Sequence, residues 1–177
     1  GIPATDDFNR GNNEGVGYFE VNQKRGVRWN ASKAFLRPVA HRANLTVMTL
    51  AQVQRLVIER RGDGTLAATG VVVRTPQGEQ TFTATQAVVM TAGAINTPQL
   101  LQLSGIGPAA LLRQHGIAVL HDVPGVGANL QDHLQIRAVF GVSGVQTLNT
   151  LANSLIGKAR IGLQYLLTQS GPMSMAP

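Results

Sequence analysis

The stretch TAGAINTPQLLQLSGIGPAALL (Thr91–Leu112) decides the fold that we expect for this chain. Three small residues, Ala92, Gly93 and Ala94, follow an apolar run, and Gly105 interrupts the apolar sequence further along. Small residues at the end of a strand let another group approach the backbone closely. The sequence therefore raises the question of which group comes near the backbone at this place.

The residues on either side of this bend favour a strand followed by a helix. Ala87–Met90 is entirely apolar, which is typical of a strand buried on both faces of a parallel sheet. A helix is expected over Thr97–Leu103, with Pro98 in the first turn, where its missing N–H costs nothing. Open α/β sheets bind ligands where such a strand ends, beside a helix N-terminus. The bend is a candidate nucleotide site, but the chain has no G-x-G-x-x-G sequence, and close strand–helix packing is the alternative explanation.

The sequence before the apolar run predicts a β-meander. A β-branched run at Leu45–Leu50 indicates one strand, and three further segments alternate or are rich in β-branched residues. The Asp63-Gly64 pair is a strong hairpin signal, and a second turn is expected at Pro76–Gln80. The three meander strands are predicted at Val53–Glu59, Thr69–Thr75 and Thr81–Thr85.

Further elements are predicted on both sides of this region. Asn30 is a candidate N-cap for a short helix that Pro38 stops or bends, and Gly116 closes a helix over Ala109–His115. A leucine-rich stripe between Leu151 and Leu167 predicts an amphipathic helix, which we expect to face a core, with a membrane surface as the alternative. Short strands are expected at 18–23, 117–124 and 136–142.

Composition limits the function classes. The formal net charge is +6, yet the twelve Arg and three Lys are scattered and aromatic residues make up only 5% of the chain, so no nucleic-acid partner is expected. No cysteine is present, which excludes disulfides and thiolate metal sites and favours a cytoplasmic location. The four His residues show no metal-ligand spacing. Both ends lack the features of natural termini, so we expect an internal fragment.

Three segments resemble the GMC (glucose–methanol–choline) family of FAD-dependent oxidoreductases, and choline-dehydrogenase-like members in particular. They are GAINTPQLLQLSGIG (Gly93–Gly107), GIAVLHDVPGVGANLQDH (Gly116–His133) and the upstream Glu14–Pro38. The resemblance implies an α/β plus α+β fold. Residues 1–27 would form a substrate-domain or lid segment, 28–134 part of a Rossmann-like FAD-binding domain with a β-meander, and 135–177 part of an antiparallel-sheet substrate-binding domain.

The resemblance also implies the chemistry. Family members oxidise an alcohol to an aldehyde by hydride transfer to flavin, and their catalytic His pair and phosphate loop do not match any part of this chain, so no residue is assigned a catalytic role. Cofactor contacts are carried over to Val53, whose backbone would bond adenine, and to Thr91, Ala92, Gly93 and Ala94, which would lie against the adenosine of FAD. Two other function classes stay open: an FAD-binding lyase on the same fold, and a cofactor-free structural or binding module.

Overall fold

Short strands and helices alternate with long irregular segments along the chain. The computed structural model describes residues 1–12 and 14–175, so Asn13 of the predicted first segment and residues 176–177 of the last lie outside it. In chain order the elements are β1 (Gln23–Lys24), β2 (Val27–Arg28), a π-helix (Ser32–Leu36), a 3₁₀ turn (Arg37–Val39), β3 (Gln52–Arg60), β4 (Leu66–Thr75), β5 (Gly78–Thr83), α1 (Gly93–Leu103), β6 (Ile106–Gly107), α2 (Ala109–Gln114), β7 (His121–Asp122), α3 (Leu148–Ala152), α4 (Leu155–Thr168) and a 3₁₀ turn (Pro172–Ser174).

The chain divides into two compact units, one made of residues 1–46 with 138–177 and the other of residues 47–137. The second unit contains the predicted meander, in which β3, β4 and β5 pair antiparallel in sequence order. The Asp63-Gly64 hairpin is confirmed: Asp63 Oδ1 accepts hydrogen bonds from the Thr65 backbone N–H (2.9 Å) and hydroxyl (2.7 Å). These two bonds hold the pKa of Asp63 below its ordinary value, because they stabilise the carboxylate.

Helix α1 packs on the free edge of β3, and one serine joins them. Ser104, directly after α1, accepts a hydrogen bond from the Leu56 backbone N–H (2.8 Å) and donates one to the Leu100 carbonyl (2.6 Å). The ladder between β3 and β4 shifts register between Val53 and Arg55, so β3 bulges just before this contact. Leu56 is 5% exposed and Ser104 7% exposed, so the hydrogen bond lies in the core of the unit.

The apolar run before α1 does not form the predicted buried strand. Within residues 14–175 Ala87–Met90 belongs to no strand, and burial alternates along it: Val88 and Met90 are half-buried, while Val89 is 81% exposed. A strand that is buried on both faces needs hydrogen-bonded neighbours in a sheet, and no described strand pairs with this segment. The segment therefore covers the meander with one side only.

Helix α1 begins earlier than predicted. It starts at Gly93 rather than Thr97, and Pro98 lies inside the helix instead of in its first turn. A proline at this position removes one backbone hydrogen bond but leaves the helix continuous. The end of α1 agrees with the prediction at Leu103.

Helix α2 ends in a glycine cap. It ends at Gln114, and Gly116 adopts a positive φ of 69°. Hydrogen bonds from Ile117 N to Leu112 O (2.9 Å) and from Gly116 N to Arg113 O (3.0 Å) close a Schellman motif, which confirms the predicted cap. Leu112, at 1% exposed, anchors the helix in the core.

The strand predicted over residues 117–124 is confirmed only in part. It is reduced to β7, which pairs parallel with β6. Asp122, at the end of β7, caps α2 from outside the helix, because its Oδ1 accepts a hydrogen bond from the Ala109 N–H at 2.9 Å.

In the unit formed by 1–46 and 138–177, β1 and β2 form a small hairpin instead of the strand expected at 18–23. The predicted Asn30 cap is present, since its Oδ1 accepts a hydrogen bond from the Lys33 N–H at 3.0 Å. The helix it starts is a single π-helical turn, and it ends in the 3₁₀ turn that contains Pro38.

Two predicted strands do not form, at Leu45–Leu50 and at 136–142. Both segments are irregular and largely exposed, and no described neighbouring strand offers them backbone hydrogen bonds.

The predicted leucine-rich helix is divided into α3 and α4 at Asn153 and Ser154, and the Ser154 hydroxyl caps α4 by accepting from the Gly157 N–H at 2.9 Å. The prediction that its leucine stripe faces a core is wrong. Leu155 is 85% exposed, whereas Ile161, on the opposite side, is 8% exposed. In the described part of the chain α3 and the turn Pro172–Ser174 pack most closely on α4, and they meet that opposite side. No helix in the part of the chain that the structure describes is long and apolar enough to span a membrane.

Candidate functional site

A cavity of about 440 Å³ lies between the start of β3 and one side of α1, and we call it the Val53 cavity. It brings together Val53 and Ala92, two of the residues that the family resemblance assigns to the cofactor. The residues that α1 contributes to the lining are spaced three or four positions apart, so they share one face of the helix. The lining consists of Ala51, Gln52, Val53, Gln54, Ala92, Asn96, Gln99, Leu100 and Leu103.

The lining of the Val53 cavity is uncharged. It combines small or aliphatic side chains with amides, and no side chain in it titrates near neutral pH. The Val53 carbonyl accepts a hydrogen bond from Gln52 Nε2 at 3.3 Å, so this backbone oxygen is within reach of a side-chain donor. Such a surface suits a neutral polar ring better than an anion.

A second cavity, also of about 440 Å³, lies on a neighbouring side of α1, and we call it the Gly127 cavity. Gln99 stands between the two cavities and lines both. The side chain of Gln102 holds the far wall of the Gly127 cavity in place, since Nε2 donates to the Val126 carbonyl at 3.1 Å. Gly127 adopts a positive φ of 81° and lies so close that an added Cβ would be 3.0 Å from Gln102 Nε2. The lining consists of Ala94, Ile95, Pro98, Gln99, Gln102, Gly127, Ala128 and Leu130.

The small residues of the bend before α1 are therefore divided between two surfaces. Ala92 lines the Val53 cavity and Ala94 lines the Gly127 cavity, while Thr91 and Gly93 line neither. Gly93 has a φ of 87°, and a Cβ built on it would meet nothing within 4 Å. Glycine is required at 93 by the backbone conformation and not by the close approach of another group.

Sequence reasoning missed the amides of Asn96 and Gln99 and the loop around Gly127. The helical spacing of Ala92, Asn96 and Gln99 does indicate that the two amides share a side of the helix with Ala92. The glycines at 125 and 127, which follow a proline, were a signal for a sharp turn but not for what that turn would face.

Other candidate sites receive no support from the geometry. The Asp132–His133 pair is joined through the His133 backbone N–H (2.8 Å to Asp132 Oδ1), and its imidazole is exposed. Among residues 1–12 and 14–175, no group of three His, Asp or Glu side chains could hold a metal ion. The ion pair seen in the described part of the chain, Arg10 with Asp7 at 3.2 Å, lies at the surface.

Comparison with known families identifies the fold around these cavities. The model of the GMC oxidoreductase family matches residues 1–135. The chain belongs to the GMC oxidoreductase family. The relatives include an alcohol dehydrogenase [acceptor] of Pseudomonas putida, which is 41% identical over 96% of this chain. An oxygen-dependent choline dehydrogenase of Photobacterium profundum is 40% identical over 97% of this chain.

These relatives are much longer than this chain. The match covers 30% of the Pseudomonas protein and 29% of the Photobacterium protein. Among solved structures, an FAD-dependent oxidoreductase from Chaetomium thermophilum superposes with a TM-score of 0.73 and 28% identity, over 85% of this chain and 26% of that one. The GMC fold expected from the sequence is thereby confirmed, with antiparallel sheet and helices that form part of an FAD-binding domain in this family.

Proposed function

We propose that this chain is part of an FAD-dependent enzyme that oxidises the CH–OH group of a small alcohol to an aldehyde. The observation that carries the proposal is that Val53 and Ala92, separated in sequence, line one cavity. The family membership and the names of the relatives, an alcohol dehydrogenase and a choline dehydrogenase, support the reaction class. The absence of cysteine is the reason that we expect a cytoplasmic enzyme.

The Val53 cavity fits the adenine end of FAD. Adenine is a neutral, flat ring with hydrogen-bonding groups along its edge, and the cavity offers aliphatic surface, amides and the Val53 backbone. The Val53 carbonyl and N–H would bond the ring, and Thr91–Ala94 would lie against the adenosine. Because no charged side chain lines the cavity, the charge of the pyrophosphate has to be balanced outside it.

The chain's contribution to the reaction is binding and orientation. When bound, the flavin supplies the acceptor for the hydride of the alcohol carbon. The side chains of the Val53 cavity are amides and aliphatic groups, none of which can remove a hydroxyl proton. The base that accepts that proton is therefore sought outside this cavity, and no residue of the chain is assigned to it.

The test uses the full-length protein, purified and examined for bound flavin by its visible absorption. Addition of choline and of a panel of primary alcohols without oxygen is expected to bleach that absorption as the flavin is reduced. A yellow protein that no alcohol reduces would instead support a lyase on the same fold. A colourless protein that binds no added FAD would refute the proposal and favour a cofactor-free module.

A further inference from the structure

Two amides on one side of α1 extend the Val53 cavity beyond the residues that the family resemblance assigns. Asn96 and Gln99 are three positions apart, so they project from the same side of the helix, and both line the cavity. Leu100 and Leu103 continue the same side toward the end of the helix. The cavity wall on α1 is therefore polar at its beginning and aliphatic at its end.

The other two amides of the cavity already have partners. Gln52 Nε2 donates to the carbonyl of Val53 (3.3 Å), and Gln54 Nε2 donates to the carbonyl of Gln52 (3.2 Å). Gln54 Oε1 also accepts from Arg74 Nη2 at 2.9 Å. Asn96 and Gln99, by contrast, are exposed and make no side-chain hydrogen bond among residues 1–12 and 14–175, so their donors and acceptors are open to a ligand that enters the cavity.

We infer that Asn96 and Gln99 bind the hydrogen-bonding edge of the adenine ring and select adenine over other purines. The inference rests on the proposed function, because it takes FAD as the occupant of the Val53 cavity. A side-chain amide pairs with adenine through its own acceptor and donor, which match the 6-amino group and N7 of the base. A purine with oxygen at position 6 offers two acceptors and is matched by the donors of Arg or Lys, and the cavity lining contains neither.

The aliphatic part of the lining completes this arrangement. Val53 from β3 and Leu100 from α1 belong to the same cavity, so a flat ring between the strand and the helix has apolar surface available for its faces. Asn96 and Gln99, in the same lining, are then available to form hydrogen bonds with the edge of that ring. The hydrogen bonds specify the base and the aliphatic contacts hold it without distinguishing one purine from another.

The test compares two dinucleotides that differ at position 6 of the base and in the proton on N1. The full-length protein is freed of flavin, and Kd is measured for FAD and for flavin hypoxanthine dinucleotide, in which oxygen replaces the 6-amino group. The wild-type protein is expected to prefer FAD by roughly tenfold or more. Asn96→Leu and Gln99→Leu should weaken FAD binding by about that factor and leave the hypoxanthine compound within about twofold of its wild-type Kd.

Gln114→Leu is the matched control, because Gln114 is an exposed amide on α2 that lines neither cavity, and it should keep the wild-type preference. The inference is overturned if the Asn96→Leu and Gln99→Leu variants keep the full wild-type preference for FAD, or if they lose affinity for both compounds equally, which indicates a packing role. It is also overturned if the wild-type protein binds both compounds equally, and that result leaves the proposed function standing. Absence of any flavin binding by the wild-type protein refutes the proposed function itself.

Discussion

Replacing Ser104 by alanine tests whether one buried hydroxyl sets the position of α1 against β3. The hydroxyl accepts from the Leu56 N–H at 2.8 Å and donates to the Leu100 carbonyl at 2.6 Å. In Ser104→Ala the carbonyl still accepts from the Ser104 backbone N–H, which lies at 3.1 Å in the wild type. The Leu56 N–H, on a residue that is 5% exposed, loses its acceptor.

The cost of the substitution follows from that orphaned donor. A buried N–H without a partner costs about 1–3 kcal/mol, and we expect the free energy of unfolding to fall by ~2 kcal/mol. The assay is urea denaturation of the flavin-free protein, because bound flavin would add its own stabilisation. A lower midpoint with an unchanged slope against denaturant is the expected signature.

Ser143→Ala is the control for this experiment, because Ser143 is exposed in an irregular segment. It should change the free energy of unfolding by less than about 0.5 kcal/mol. The reasoning would be refuted if Ser104→Ala were as mild as this control, since the hydroxyl would then not be holding the two elements together. Because β3 and α1 form the walls of the Val53 cavity, we also expect weaker flavin binding in the Ser104 variant.

Substitutions at three further positions test other parts of the same unit. Val53→Arg should lower flavin occupancy of the full-length protein, measured as the ratio of flavin to protein absorbance, because a long cation would fill the space of the adenine; unchanged occupancy would contradict the placement. Gly105→Ala should lower the free energy of unfolding by about 2–3 kcal/mol or more, since the residue has a φ of 85° and its Cβ would lie 2.6 Å from the Ala118 carbonyl oxygen. Asp122→Ala should cost about 1 kcal/mol in denaturation experiments by removing the cap on the Ala109 N–H, and Asp122→Asn should recover most of it.

The elements that the sequence predicted correctly are those specified by neighbouring residues. The meander follows from alternation with period two and from Asp63-Gly64, whose turn closes through local hydrogen bonds. The end of α2 follows from Gly116, which can adopt the positive φ that a Schellman motif requires. In both cases the deciding interactions lie within a few residues.

The elements that the sequence predicted wrongly depend on distant partners. Ala87–Met90 and residues 136–142 have strand-like composition, yet a strand exists only where another strand supplies its hydrogen bonds. The predicted start of α1 is wrong because the prediction places Pro98 in the first turn, whereas the helix accommodates this proline one turn further in. The side of α4 that is buried depends on α3 and the final 3₁₀ turn, which the leucine pattern does not reveal.

The candidate site shows the same division between local and distant information. Val53 and Ala92 were assigned from the family resemblance, and the packing of β3 against α1 brings them to one cavity. Asn96 and Gln99 could not be singled out without that packing, because an amide on a helix is ordinarily a solvent-facing residue. Both are exposed in the structure, and only the placement of α1 beside β3 shows that they line the same cavity as Val53.

The small residues before α1 are required for two different reasons. Gly93 is needed because the chain turns into the helix through a positive φ that other residues adopt only with strain. Ala92 and Ala94 line separate cavities beside the first turn, and on our proposal adenine occupies the one that Ala92 lines. A longer side chain at 92 would narrow the space beside Val53, while one at 94 would narrow the space beside Gly127. The conformational requirement of the helix start and the space requirement of the cofactor are therefore carried by different residues of the same short bend.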